Sequence, residues 1–320
     1  MAAHMIPPAA APDFLARHGW AGAEIRPLAG DASFRRYFRV HDGERTAVLL
    51  DAPPELEDSR PFLSIGAHLN ALGFAAPAPL GVDLDQGLIL LDDFGDARVN
   101  PVLANDPARE TAIYTQAIDL LAALHLHPAP PLRAYDEIEL RREVRLFTDW
   151  YLPAAGLAEA SGYDAAWNAV WPQVLAETPV LTLRDYHADN LMLLPGGGLG
   201  LLDFQDALAG HPAYDLVSLL QDARRDVSID LETAMLGRYL AAANITDAAA
   251  FRAAYEILGA QRNTKIIGVF TRLRDRDGKG AYIPLLPRVW GHLTRNLAHP
   301  ALATVAAWFD AHVPASARAL

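Results

Sequence analysis

The stretch Leu183-Arg184-Asp185-Tyr186-His187-Ala188-Asp189-Asn190, followed by Leu201-Leu202-Asp203-Phe204-Gln205-Asp206, decides how this chain is read. Two short apolar runs, residues 180–183 and 199–202, bracket a segment over 184–194 that is dense in Asp, His and Asn. Runs of that length separated by turn-forming residues predict a β-hairpin-like element. The surroundings are helical. After Asp106 and Pro107 the residues Ile113, Ala117, Leu120, Leu121 and Leu124 fall on one helix face, and further helices are predicted over 164–177, 214–224, 231–243, 248–270 and 285–297. A polar hairpin inserted in a helical domain is where a functional site is expected, because loops held by a rigid scaffold carry reactive side chains.

Toward the N-terminus the period changes from helical to strand-like. Residues 36–41, 46–50 and 88–91 read as strands, and 61–72 as one helix with Pro61 in its first turn and Gly73 placed to stop it. Residues 1–12, rich in Ala and Pro, read as a disordered tail or a cloning remnant. Asp92-Asp93-Phe94-Gly95 supplies a polar connector before the helical region. The expectation is an α+β chain, with a small β-rich lobe over 13–95 and a larger helical lobe over 96–320. A chain of 320 residues exceeds the size at which one hydrophobic core stops growing, which also favours two lobes.

The spacing inside the decisive stretch carries chemistry. Asp185 and Asn190 stand five positions apart, and Asp203-Phe204 begins 13 residues after Asn190. Protein kinases write the corresponding elements as H-R-D-x-x-x-x-N and D-F-G. Phosphoryl transfer requires an alcohol in line with the γ-phosphate, a carboxylate to accept its proton, and a divalent cation against the phosphate oxygens. Asp185 is the candidate catalytic base, and Asn190 and Asp203 are hard oxygen donors suited to Mg²⁺. Singly, such residues cap turns or end strands. Jointly, with a small β region upstream, they point to phosphate transfer from ATP.

A phosphate-covering loop is then expected between the first strands. Leu28-Ala29-Gly30-Asp31-Ala32-Ser33-Phe34-Arg35-Arg36-Tyr37-Phe38 occupies that place, with Gly30, Ser33, Phe34, Arg35 and Arg36 as candidate nucleotide contacts. Kinases place a lysine on the third strand and pair it with a helix glutamate. The strand over 46–50 has no lysine, since Lys265 and Lys279 are the only ones in the chain, and the helix over 61–72 has no acidic residue. Arg35, Arg36 and Arg39 are the cations available to replace it. Because base and metal ligands are all retained, a rebuilt grip on ATP is expected, with a non-catalytic nucleotide binder as the alternative.

Composition narrows the partners. A net charge of −12 argues against a nucleic-acid partner, and no apolar run approaches the length of a membrane span. The absence of cysteine excludes disulfides and thiolate metal sites, and no signal sequence opens the chain, so a cytoplasmic protein is expected. His125 and His127 form an H-x-H pair without further ligands nearby in sequence, an unpromising zinc site.

These motifs resemble the aminoglycoside phosphotransferase superfamily of small-molecule kinases over nearly the whole chain, although Leu183-Arg184-Asp185 departs from its usual H-G-D. The resemblance implies a protein-kinase-like fold, ATP and Mg²⁺. It also implies that Asp215, within Gly210-His211-Pro212-Ala213-Tyr214-Asp215, braces the catalytic loop, with His187 as a further support. Within the superfamily the chain most resembles the bacterial anomeric N-acetylmuramate/N-acetylglucosamine kinases of cell-wall recycling. The segments behind this are Gly30 to Phe38, Leu50-Asp51-Ala52-Pro53-Pro54, Leu202 to Ala207, and Gln261-Arg262-Asn263-Thr264-Lys265-Ile266. That implies phosphorylation of an anomeric hydroxyl to a sugar 1-phosphate, and the expectation is a monomer whose partners are a sugar and a nucleotide. A kinase of an aminoglycoside or a choline-like alcohol is the alternative. A sugar wants an aromatic plate and polar groups for its hydroxyls. Phe147, Trp150 and Tyr151, beside Asp149, are the candidate plate; Glu143 is the candidate for hydroxyls, and Arg262 or Lys265 for a carboxylate.

Overall fold

A computed structural model of the chain describes residues 5–30, 34–158, 161–175 and 178–318. Its elements begin with α1 (Ala11–Arg17), β1 (Glu24–Gly30), β2 (Arg36–Asp42), β3 (Arg45–Asp51), α2 (Arg60–Ala71), β4 (Pro79–Asp83), β5 (Leu88–Asp92) and α3 (Val99–Asn105). There follow α4 (Glu110–Leu124), α5 (Glu137–Leu146), α6 (Leu152–Ala154), α7 (Tyr163–Asn168), β6 (Val180–Thr182), β7 (Leu191–Leu193), β8 (Leu199–Leu201) and β9 (Leu208–Gly210). The remainder is α8 (Ala213–Leu220), α9 (Ile229–Ala242), α10 (Ala248–Asp275), α11 (Leu286–Leu297) and α12 (Ala303–His312). Two compact units result. One joins Met1–Val102 to Asp189–Asp206, and the other joins Leu103–Ala188 to Ala207–Leu320. The sequence reading put a single boundary at residue 95; instead the division falls inside α3, and the β7–β8 segment returns to the first unit.

In the first unit β1 to β5 form an antiparallel sheet in the order β1-β2-β3-β5-β4. The β2–β3 hairpin closes through Gly43-Glu44, with Gly43 at φ 61°, as a two-residue turn with glycine first requires. Strand period two then sorts the side chains. Phe38, Val40, Ala47, Leu49, Leu88 and Leu90 lie buried in one cluster with Phe14 and Leu15 of α1 and with Trp20. Each such burial contributes about 1.5–3 kcal/mol. Tyr37, Val48 and Leu91 alternate with them and line a cavity of 450 Å³. Ala11 is fully buried in the same cluster and Met5 and Ala10 pack against it, which corrects the reading of residues 5–12 as a disordered tail. Small apolar residues there are the cover of a sheet.

The β7–β8 ribbon is stitched onto this unit by backbone pairing of Ala75 with Gly200 and of Arg98 with Met192. Phe204 stacks on Phe62 of α2 with ring centroids 5.1 Å apart. The predicted hairpin is thereby corrected as well. Strand β6 pairs with β9, and β8 pairs with β7, so the two apolar runs belong to separate ribbons.

The second unit is built around α10, 28 residues long and buried along most of its length. Gly268 is required where α10 meets the end of α5, because a Cβ there would lie 2.3 Å from the Leu146 carbonyl. Phe147, Tyr151, Tyr163, Trp290 and Phe309 form an aromatic core beside that crossing. The helix predicted over 164–177 is shorter: α7 ends at Asn168, and a separate tight turn over Trp171–Gln173 carries Pro172 in its first positions.

Candidate active site

In the second unit the chain leaving β6 is held by the buried carboxylate of Asp215. The N–H groups of Leu183 and Arg184 donate to its oxygens at 2.7 and 2.8 Å. Ser218 Oγ donates to the Arg184 carbonyl at 3.0 Å. Gripped from both sides, Arg184 takes a left-handed backbone conformation, φ 71°, which costs a non-glycine residue about 1–2 kcal/mol. Its guanidinium reaches the buried carboxylate of Glu143 and lies over the ring of Tyr135. Glu143 also meets Lys265 at 2.7 Å and accepts from Gln261 at 2.8 Å and from the Tyr135 hydroxyl. Burial opposes the charge on Glu143, but Lys265 and Arg184 overcome it and hold its carboxyl at about 2.

Asp185, half-buried, follows directly. Burial raises its pKa, and the nearby charges of Lys265, Arg262 and Arg184 more than reverse that, so it stays ionised below the usual carboxylate range. A carboxylate kept charged among cations is ready to accept a proton late in a reaction. His187 donates its N–H to the Asp185 carbonyl at 3.1 Å. Burial, then the guanidinium of Arg224 at 3.3 Å, pushes its imidazole down to about 3. The imidazole is therefore neutral. Tyr186 anchors the same loop through its hydroxyl to the Ala117 carbonyl at 2.8 Å. Arg262 is only 3% exposed, and its Nη1 has no hydrogen-bond partner among the described residues. An arginine nitrogen in that condition is expensive unless an anion arrives.

In the first unit, Asn190 and Asp203 flank the β7–β8 ribbon. The Leu202 N–H donates to the Asn190 carbonyl at 2.9 Å, and Asn190 Nδ2 lies 3.5 Å from Asp203 Oδ2. Asp203 has φ 57°, a left-handed conformation uncommon outside glycine and Asn or Asp. Both residues line the 450 Å³ cavity, with apolar walls from Leu28, Val48, Leu91 and Met192. The donor set fits Mg²⁺: one carboxylate and one amide, which a flip would turn oxygen-first, with room for phosphate oxygens to complete the shell. Asp203 already collects donors, Gln205 Nε2 at 2.8 Å and Arg35 Nη1 at 3.5 Å.

The candidate phosphate loop divides. Ser33 lies outside the described residues, Gly30 pairs with Arg36 in the β1–β2 ladder, and Phe34 is 63% exposed. Arg36 stands opposite Asp51 in the β2–β3 register and donates to it at 2.6 Å. That places it on the sheet face opposite Tyr37 and Val48, so the expectation that Arg36 contacts phosphate is corrected by strand parity. Arg39 shares the cavity's face but is engaged by Asp93, Asp96 and the Gly95 carbonyl. Arg35 remains beside Asp203.

The sugar-contact set also changes. Phe147 and Tyr151 are fully buried in the aromatic core, stacked at 5.1 Å, and so offer no plate to a ligand. Trp150, on the same π-helical turn, is half-buried. Glu143 has its lone pairs filled by Arg184, Lys265, Gln261 and Tyr135, which removes it from the hydroxyl-binding set and makes it the centre of a structural ion cluster. Lys265 keeps a side chain 20% exposed while holding Glu143.

A model of the "Phosphotransferase enzyme family" matches residues 24–257 of the chain. The chain belongs to this phosphotransferase family. Two curated relatives are similar to it across nearly their full lengths. One, from Caulobacter vibrioides, is 38% identical over 95% of this chain and 96% of its own, and one from Pseudomonas aeruginosa is 37% identical over 90% and 88%. Both carry the name N-acetylmuramate/N-acetylglucosamine kinase. The fold is that of solved aminoglycoside phosphotransferase structures: a putative member from Ralstonia eutropha superposes with a TM-score of 0.62 at 18% identity, covering 89% of this chain and 98% of that one. The chain is therefore a phosphotransferase with the kinase-like α+β fold expected from its sequence.

Two ion-pair contacts have no local sequence signal. Arg184 registers in the sequence only as a departure from H-G-D, and its partner Glu143 lies 41 positions away, beyond any local signal. Glu57, which meets Arg35, lies in the loop before α2 and outside the helical pattern.

Proposed function

We propose that this phosphotransferase uses ATP and Mg²⁺ to phosphorylate the anomeric C1 hydroxyl of N-acetylmuramate or N-acetylglucosamine, giving a sugar 1-phosphate for peptidoglycan recycling in the cytoplasm. The observation that carries the reading is the shared name of near-full-length relatives at 37–38% identity, together with the carboxylate loop at Asp185. In the reaction the C1 oxygen forms its bond to the γ-phosphorus as the bond to the β,γ-bridging oxygen breaks and ADP leaves. The hydroxyl proton passes to Asp185. Asn190 and Asp203 would hold Mg²⁺, which when bound supplies positive charge against the phosphate oxygens. Their own task is to orient those oxygens beneath the loop that carries Arg35.

The electrostatics of the second unit support an anionic or neutral acceptor over a cationic one. Arg262, Lys265 and Arg184 all act on Asp185, so an aminoglycoside or choline-like cation would meet like charge, which costs affinity. Arg262, with its unpartnered Nη1, is the residue we assign to the carboxylate of N-acetylmuramate. The net charge of −12 gives no footing to a nucleic-acid partner.

The test is ATP turnover against N-acetylmuramate, N-acetylglucosamine, streptomycin and choline, with the phosphate located by phosphorus–proton coupling. Turnover of another alcohol with neither sugar active refutes the assignment. Arg262→Ala is expected to raise KM for N-acetylmuramate about 10–100-fold, the scale of a lost charge-assisted contact, and to spare N-acetylglucosamine.

A further inference from the structure

The ATP grip in this chain lacks the third-strand lysine and its helix glutamate, yet the first unit contains an arginine and a glutamate in a comparable arrangement. Arg35 Nη1 lies 3.5 Å from Asp203 Oδ1, and its Nε lies 3.9 Å from Glu57 Oε2. The other oxygen of Glu57 accepts the N–H of Phe34 at 3.3 Å, so one carboxylate holds both the backbone and the guanidinium of the loop. The Arg35 side chain is only 12% exposed and that of Glu57 22%. The alternatives are occupied elsewhere: Arg36 by Asp51 on the opposite sheet face, Arg39 by Asp93 and Asp96. Asp203 lines the nucleotide-sized cavity, so a cation beside it stands where phosphate charge would arrive.

We propose that Arg35 is the phosphate-binding cation of this enzyme and that Glu57 is its positioning residue, the two replacing the lysine–glutamate pair from a different strand and a different loop. The inference rests on the reading that the cavity takes ATP. The arginine enters from the segment before β2 rather than from β3, and the acid precedes α2 rather than lying within it. A fork-shaped cation suits this arrangement, because one edge keeps the carboxylate while the other meets phosphate oxygens.

Equilibrium binding of ATP and of adenosine to the full-length protein tests it without any acceptor sugar. Arg35→Ala is expected to weaken ATP about 10–100-fold, in the range of a charged hydrogen bond, and to leave adenosine within about twofold. Arg35→Lys should recover part of the loss. Glu57→Ala should weaken ATP by a smaller factor, and the double variant should be no worse than Arg35→Ala, because the acid acts only through the arginine. If Arg35→Ala binds ATP as tightly as the parent, or if Arg36→Ala produces the loss instead, the assignment is overturned while the nucleotide reading stands. If the parent protein binds neither ATP nor adenosine, both fall. Equal weakening of ATP and adenosine would show a structural role and overturn the phosphate contact.

Discussion

Replacing Arg184 separates two opposed energies at one position. Its backbone is left-handed at φ 71°, and its guanidinium is the buried partner of Glu143. Arg184→Ala removes the ion pair and keeps the strain. Breaking a buried pair costs about 3–5 kcal/mol, and the lower end applies because Lys265, Gln261 and Tyr135 still serve Glu143. Arg184→Gly loses the same pair but releases the left-handed strain, about 1 kcal/mol after its greater freedom in the unfolded chain is counted. The expectation is a loss of about 3 kcal/mol for alanine and about 2 for glycine. For a chain of this size, thermal midpoints should fall by about 2 °C per kcal/mol, with glycine the milder variant. Calorimetry on the two variants and the parent reads this directly. If glycine is as damaging as alanine, the backbone at 184 is not strained; if both match the parent, the buried ion cluster contributes nothing.

The remaining expectations concern the base, pH and the sheet's cover. Asp185→Asn should lower kcat by about 10³-fold, within the range for general-base loss, with ATP affinity nearly unchanged; a fall under tenfold would remove Asp185 from the base role. Because Asp185 is held low and His187 is near 3, the pH profile of kcat/KM should show no protein inflection between about pH 5 and 8. An inflection near 6.5 that vanishes in His187→Asn would contradict this. Glu143, folded at about 2 against an ordinary 4.5, contributes stability that is complete above pH 4.5 and lost as pH falls toward 2. Acid titration of the melting temperature should therefore be shallower in Glu143→Gln. Phe14→Ala, by emptying the space under the sheet, should cost about 3–5 kcal/mol in urea unfolding.

What could be read in advance depended on how local its cause was. The placement of Asp185, Asn190 and Asp203 on a loop and a strand turn was legible because the flanking apolar runs and the spacing are local. The strands around Phe38 and Leu49 announced themselves by alternation. Arg36 misled because composition does not say which sheet face receives the nucleotide; only the register that sets Arg36 opposite Asp51 does. Phe147 and Tyr151 misled because aromatic residues at helical spacing suit a core or a binding plate equally until the packing partners are known. Residues 5–12 look disordered when counted as Ala and Pro, although Ala11 is sealed under Phe14 and Trp20. The contact of Glu57 with Arg35 was invisible because it depends on folding of the loop before α2.

The split membership of the first unit has a consequence for biosynthesis. Its cavity draws on Leu28 to Pro101 and again on Asn190 to Asp203. The sheet and its helical cover are complete once α1 to β5 have left the ribosome, and they can fold then. The floor of the cavity arrives about a hundred residues later, roughly 5–20 s at ordinary elongation rates. During that interval the nascent chain has a finished hydrophobic core and an unfinished pocket. A product terminated between β5 and β7 would be folded in part, exposed along the face that awaits β7 and β8, and without the Asn190 and Asp203 side of its cavity.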